Sequence, residues 1–140
     1  MAARDFVDTN VFLYLFDPDA PGKRTIAEGI VRGRTADRDL VVSTQVMQEF
    51  FSIASGKFAD VLSPGEAESA LAMMRTLEVV VVQPEMVQAA ASRSRRDRLN
   101  FWDALIVESA LVARCTRLLS EDFQNGRQFD GLRVENPFRT

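Results

Sequence analysis

The sequence predicts an α/β fold. Residues 1–140 form one domain, a three-layer sandwich with a mostly parallel sheet of four to five strands and helices on both faces. Three observations predict it. Segments of strand character alternate with segments of helical period along the whole chain. The strand segments are continuous apolar runs, such as Leu40-Val41-Val42 and Val79-Val80-Val81-Val82, which marks strands buried on both faces. No internal repeat, low-complexity tract or linker divides the 140 residues, a length that suits one core.

Taken in order, Arg4 to Asp8 reads as a short first strand. Thr9 or Asn10 caps a helix over Val11 to Phe16. Asp17-Pro18-Asp19-Ala20-Pro21-Gly22 is a turn cluster, and Lys23 to Gly33 is helical with Ile26, Ala27, Ile30 and Val31 on one face. Leu40 to Ser43 is a second strand, followed by a helix from Thr44 to about Ser55 that Gly56 stops. Ser63-Pro64-Gly65-Glu66 is a helix start with Ser as the cap, Pro first and Glu third, and this helix runs to about Arg75. Glu78 to Val82 is a β-branched third strand. Helices follow from Pro84 to about Arg96 and, capped by Asn100, from Phe101 to Arg114. Arg117 to Ser120 is a fourth strand, 122–126 a loop or short helix, and Leu132-Arg133-Val134 a fifth strand. Phe50, Phe51, Phe101, Trp102, Met73 and Met74 follow helical spacing and read as core or subunit interface. Phe12, Leu13, Leu15 and Phe16 form a further apolar helix face, with Tyr14 at its edge.

Composition removes several classes of chemistry. The chain has no His, which excludes a Ser-His-Asp triad, a Cys-His pair and His-based acid–base catalysis of RNA cleavage. It carries neither a phosphate-cradling Gly-rich loop nor ligands for a Cys/His zinc site. The single Cys115 reads as an inert core thiol, which suits a reducing, cytoplasmic setting. The N-terminus, Met-Ala-Ala-Arg-Asp, does not read as a signal peptide, and no apolar run approaches the roughly 20 residues of a membrane helix. The net charge of −3 does not advertise nucleic acid, but Arg93, Arg95, Arg96 and Arg98 cluster. They are either a solvated helix end or contacts to substrate phosphate.

Four carboxylates stand inside or beside apolar segments. Asp8 ends the first strand, Glu49 precedes Phe50-Phe51, Asp103 lies within Phe101-Trp102-Asp103-Ala104-Leu105-Ile106-Val107, and Asp122 follows Leu118-Leu119-Ser120-Glu121. An unpaired carboxylate in such a setting costs several kcal/mol or takes up a proton. In a parallel sheet, ligands bind at the carboxyl ends of strands, and all four acids can reach that edge. With no His and little Lys, a divalent cation is the positive centre that suits them, and oxygen-only ligands favour Mg²⁺ or Mn²⁺. Each acid also has a purely structural role open to it. Asp103 pairs with Asn100 as a cap, Asp8 serves an Asx turn or N-cap, Glu49 lies at the margin of its helix face, and Asp122 sits in a post-strand turn. Glu121 competes with Asp122 for the same position. Ser120 and Thr9 are either hydroxyls behind the ligands or caps.

Asp8-Thr9-Asn10-Val11, Ser43-Thr44-Gln45-Val46 leading to Glu49-Phe50, Phe101-Trp102-Asp103-Ala104-Leu105-Ile106, and Leu118-Leu119-Ser120-Glu121-Asp122-Phe123 together resemble the PIN-domain family. Within it they resemble the VapC-type toxins of bacterial toxin–antitoxin pairs. The similarity runs from about residue 4 to residue 137. The family's acidic quartet falls on Asp8, Glu49, Asp103 and Asp122. Ser120 stands where Thr is frequent, and Asn10 where a Ser or another small polar residue is frequent.

The resemblance implies metal-dependent endoribonuclease activity that leaves a 5′-phosphate and a 3′-hydroxyl, a homodimer, and a small cognate antitoxin. On that reading Asp8 and Asp103 hold the metal directly, Asp122 directly or through water, and Glu49 holds a second ion or orients water. Thr9, Asn10, Ser43 and Ser120 support them, and the four arginines contact RNA. Two other functions stay open: a metal-dependent phosphatase of small phosphoesters, which would want a second Asp where Asn10 stands, and a non-catalytic nucleic-acid or protein binding module. A receiver-like signalling domain would need a Lys that only Lys23 or Lys57 could supply.

Overall fold

The structure is a computed structural model that describes residues 3–33 and 38–139. Met1 and Ala2, the start of the N-terminal segment considered above, lie outside the described residues. Six strands form one sheet in the order β3-β2-β1-β4-β6-β5. They are β1 (Ala3–Val7), β2 (Arg38–Ser43), β3 (Glu78–Val80), β4 (Arg117–Leu119), β5 (Gln128–Phe129) and β6 (Leu132–Glu135). All neighbours pair in parallel except β5 with β6. Six helices connect them: α1 (Thr9–Tyr14), α2 (Pro21–Arg32), α3 (Thr44–Ser55), α4 (Pro64–Met74), α5 (Pro84–Asp97) and α6 (Phe101–Val112).

The strand order fixes the layers. The chain moves outward from β1 to β2 to β3, then returns across the sheet to β4 on the other side of β1. Right-handed crossovers place the outward helices α1–α4 on one face and the returning pair α5–α6 on the other. Contacts group the same way: α1 with α2 and α3, α3 with α4, and α5 with α6. The continuous apolar runs are the consequence. Phe6, Val7, Val41, Val42 and Leu118 have no exposed surface, because a side chain on either face of these strands meets a helix. Fully burying a residue such as Phe6 or Phe50 contributes about 1.5–3 kcal/mol.

Local sequence sets the ends of the elements. Ser63 and Glu66 form the anticipated capping box, with Ser63 Oγ accepting from Glu66 N at 3.1 Å and Glu66 Oε1 accepting from Ser63 N at 3.0 Å. Ser43 caps α3 and Asn100 caps α6. Several expectations shift: α2 opens at Pro21 inside the expected turn, α1 ends at Tyr14 instead of Phe16, and α6 ends at Val112 instead of Arg114. The first helix is capped by Asp8 rather than by Thr9 or Asn10, and β3 stops at Val80 instead of Val82. The sheet also has a strand the sequence reading lacks, β5. Its signal is present in Asp130-Gly131, a two-residue turn between Phe129 and Leu132. Both turn residues have positive φ, 50° and 93°, as a tight hairpin of this hand requires.

A fifth carboxylate organises the other end of the sheet. Asp5 is buried on β1 and receives bidentate hydrogen bonds from Arg38 of β2 and Arg117 of β4, whose Nε atoms lie 2.7 and 2.9 Å from its oxygens. Arg117 also donates to Glu135 of β6 at 2.6 Å. The cluster therefore ties the four central strands together. Among the described residues no helix is long and apolar enough to cross a membrane.

Candidate active site

Reversal of strand order beside β1 leaves a crevice at the carboxyl ends of β1 and β4, the usual ligand position in an open parallel sheet. Asp8 follows β1 there, and its backbone N–H donates to Leu119 O of β4 at 3.1 Å. Its side chain is 4% exposed. Oδ1 accepts from Thr9 N at 2.7 Å and Oδ2 from Ser120 Oγ at 2.7 Å. Burial pushes the Asp8 carboxyl up to about 7. The hydrogen bonds from Ser120 and Thr9 oppose that rise, while the charges of Asp122 and Glu49 add to it.

Ser120 joins the two strand ends. While donating to Asp8, its hydroxyl accepts from Asp122 N at 3.1 Å and from Asn10 Nδ2 at 3.4 Å. Asn10 Nδ2 also donates to Asp122 Oδ2 at 3.1 Å. Glu49 enters from α3, half-buried, with Oε1 accepting from Gln45 Nε2 at 2.7 Å. Burial raises its pKa, Gln45 opposes the rise, and the charges of Asp103 and Asp122 reinforce it. Asp103 enters from the first turn of α6. Burial raises its pKa as well; a hydrogen bond from Asn100 Nδ2 at 2.9 Å opposes this, and the Asp122 charge supports it. The Asp122 charge thus reaches each of the other three acids predicted from sequence, and the Glu49 charge reaches Asp8. Capping and clustering coexist at Asp103, whose backbone N–H donates to Asn100 Oδ1 at 2.9 Å.

The remaining candidates separate. Thr9 and Asn10 are buried beside Asp8, and Thr9 Oγ1 and Asn10 Oδ1 have no hydrogen-bond partner. Ser43 is buried, but its hydroxyl is used to cap α3, accepting from Val46 N at 3.3 Å. Glu121 turns away from the crevice toward Tyr14 and Lys23, with Lys23 Nζ 3.0 Å from its Oε2. That leaves the position to Asp122.

Arg93 corrects the expected row of RNA contacts. It is 5% exposed, and its guanidinium donates to Glu108, Asp97 and Asp130 at 2.6–2.8 Å. Three acids occupy its donors, so it holds α5, α6 and the β5–β6 turn together. Arg95, Arg96 and Arg98 are exposed. Replacing Arg93 by Met is expected to lower stability by about 2 kcal/mol and leave RNA affinity within twofold. Thermal melting and an RNA-binding titration check this, and a large loss of affinity in a folded variant would return Arg93 to the substrate. Trp102 is 62% exposed, so of its two expected places, core or subunit interface, the core is excluded.

Among the described residues no three acidic or Cys side chains are grouped closely enough to hold a metal ion as they stand. The chemistry of the donor set nonetheless fits a hard divalent cation. It consists of oxygen donors only, of carboxylates that disfavour one another's ionisation, and of the orphaned Asn10 Oδ1 and Thr9 Oγ1 beside them.

Comparisons with known proteins agree with this fold. The family model described as "PIN domain" matches residues 6–127. Solved structures similar in fold include a toxin–antitoxin complex from Klebsiella pneumoniae, with a TM-score of 0.69 at 16% identity, covering 95% of this chain and 97% of that one. VapBC2 from Rickettsia felis, bound to a promoter DNA fragment, has a TM-score of 0.63 at 16% identity and coverage of 95% and 98%. VapC20 from Mycobacterium tuberculosis, described as a sarcin–ricin loop cleaving toxin, has a TM-score of 0.67 at 17% identity and coverage of 84% and 91%. No curated protein sequence matches the chain.

Proposed function

The chain belongs to the PIN-domain family, and on that premise we propose that it is a metal-dependent endoribonuclease, the toxin of a toxin–antitoxin pair. The observation that carries the reading is the convergence of Asp8, Glu49 and Asp103 on Asp122, whose charge reaches each of the three, at the switch point of the sheet. Asp8 and Asp103 would hold the ion, Mg²⁺ or Mn²⁺, with Asp122 as a direct or water-mediated ligand. When bound, the ion supplies charge for the phosphate and a more acidic water.

The chain's own residues do the positioning. Ser120 orients Asp8 Oδ2 and the Asp122 backbone with one hydroxyl. Asn10 steadies Asp122, and Asn100 steadies Asp103. Gln45 fixes one oxygen of Glu49. The raised pKa of Glu49 suits it to accept a proton from the attacking water. In-line attack would leave a 5′-phosphate and a 3′-hydroxyl. A cognate antitoxin, a homodimer and a cytoplasmic setting complete the proposal. The neighbour described as a toxin–antitoxin complex supports the first of these.

Incubating the purified chain with structured RNAs, a sarcin–ricin loop among them, tests the reading. Cutting is expected with Mg²⁺ or Mn²⁺ and none in EDTA, with activity restored when the ion is returned in excess. Phosphate release from small phosphoesters without RNA cleavage would make the chain a phosphatase. RNA binding indifferent to metal, without turnover, would make it a binding module.

A further inference from the structure

Beside the acids lies a groove of about 430 Å³ lined by Gln45, Gln48, Glu49, Ser52, Ile53 and Trp102. The first five occupy one face of α3 at helical spacing, and Trp102 begins α6. Three features mark the groove as a site for a flat, neutral, hydrogen-bonding group. Trp102, the chain's single Trp, is 62% exposed, whereas tryptophan is usually well covered. Its ring packs against Phe101 in a T-shaped pair with centroids 5.1 Å apart, a contact with one neighbour that still leaves most of the residue exposed. Gln45 is 3% exposed, and its Nε2 bridges Glu49 Oε1 and the Trp102 carbonyl at 2.7 and 3.1 Å, while its Oε1 has no partner. A buried acceptor without a donor calls for one from elsewhere. Gln48, exposed on the same helix face, adds a second amide.

We propose that this groove is the subsite for one unpaired nucleobase of the RNA, next to the phosphate that is cut. The indole of Trp102 stacks on the base, and the amides of Gln45 and Gln48 address its edge. The inference rests on the ribonuclease reading above. Charge favours a base over a backbone phosphate here, because Glu49 is the only charged lining residue and it is an acid. Glu49 also belongs to the carboxylate cluster, so an occupant of the groove is within reach of the reacting phosphate.

The single Trp gives a direct readout. In EDTA, so that nothing is cut, the full chain is titrated with an adenosine decamer RNA and with an abasic strand of the same length, following tryptophan fluorescence. The decamer is expected to quench and the abasic strand is not. Trp102→Ala is expected to weaken decamer binding, followed by anisotropy of a labelled strand, roughly 5- to 150-fold, with Trp102→Phe retaining most of it. In cleavage assays the Ala variant should lose kcat/KM while kcat changes little. Equal quenching by the abasic strand, or wild-type binding by Trp102→Ala, would overturn the subsite. If Trp102→Ala instead turns a dimer into a monomer with RNA affinity intact, the groove is a protein contact and the base subsite is wrong. Base-dependent quenching in a chain that never cuts RNA leaves the subsite standing and removes the nuclease. Cutting without quenching does the reverse.

Discussion

Replacing Asp8 by Asn is expected to remove the proposed RNA cleavage and, in the metal-free protein at pH 8, to raise the melting temperature. Both outcomes follow from the same environment. Asp8 is almost fully buried among acids whose charges oppose its ionisation, so the folded metal-free chain carries a cost that an amide relieves. The variant keeps the bond from Thr9 N to its carbonyl oxygen, but its NH₂ cannot accept from Ser120 Oγ, which already accepts from Asp122 N and Asn10 Nδ2, and that lost bond offsets part of the relief. A gain of about 1–2 kcal/mol, or roughly 5 °C, is expected from circular dichroism melts. Cleavage should fall by more than about 100-fold, the upper end of what the partners behind metal ligands cost when removed. Asp103→Ala should lose activity similarly with its fold intact. Retention of activity within tenfold in either variant would remove these acids from the catalytic centre. Lost cleavage with a lower melting temperature would assign Asp8 to the scaffold.

Asp5→Asn is expected to be strongly destabilising. Burial works against ionised Asp5, but hydrogen bonds and charge from Arg38 and Arg117 outweigh it and hold the carboxyl below its ordinary value. Removing one partner of a buried ion pair typically costs 3–5 kcal/mol. Arg38 and Arg117 are about a third exposed, so solvent screens part of the interaction and about 3 kcal/mol is the appropriate expectation. That corresponds to a drop of roughly 10 °C in Tm.

The pH dependence has a definite sign. The folded state binds the Asp5 proton less readily than the unfolded chain. The stabilisation is therefore complete above the ordinary carboxylate value and is lost as pH falls through the lowered one. Below about pH 4 the wild type should lose stability more steeply than the variant. Parallel acid-denaturation curves, with equal slopes, would show that Asp5 is not ionised in the fold.

Much of the candidate site was legible because its residues are anomalous where they stand. An acid between Trp102 and Ala104 on an apolar helix, or at the end of Phe6-Val7, violates the pattern of its own segment, and that violation is visible without a structure. Asp130-Gly131 is equally visible as a hairpin turn, but only the strand after it is announced by its residues, because β5 is two residues long and carries no apolar run. Asp5 is not legible for the opposite reason. Its partners are 33 and 112 residues away, so the sequence offers an acid in a strand with nothing nearby to explain it.

The sequence by itself determined the order of elements, most of their ends and the four acids. Apolar period, Ser and Asn caps and helix-starting prolines act over a few residues and need no knowledge of the rest of the chain. Only the tertiary structure decided which charges find partners. Strand order places Arg38 and Arg117 on either side of Asp5, and helix packing turns Arg93 inward onto three acids. The fold likewise sends Glu121 to Lys23 and leaves Trp102 exposed beside Glu49. Such choices depend on which side chains meet across crossovers, and a charge acts over distances that local pattern does not encode.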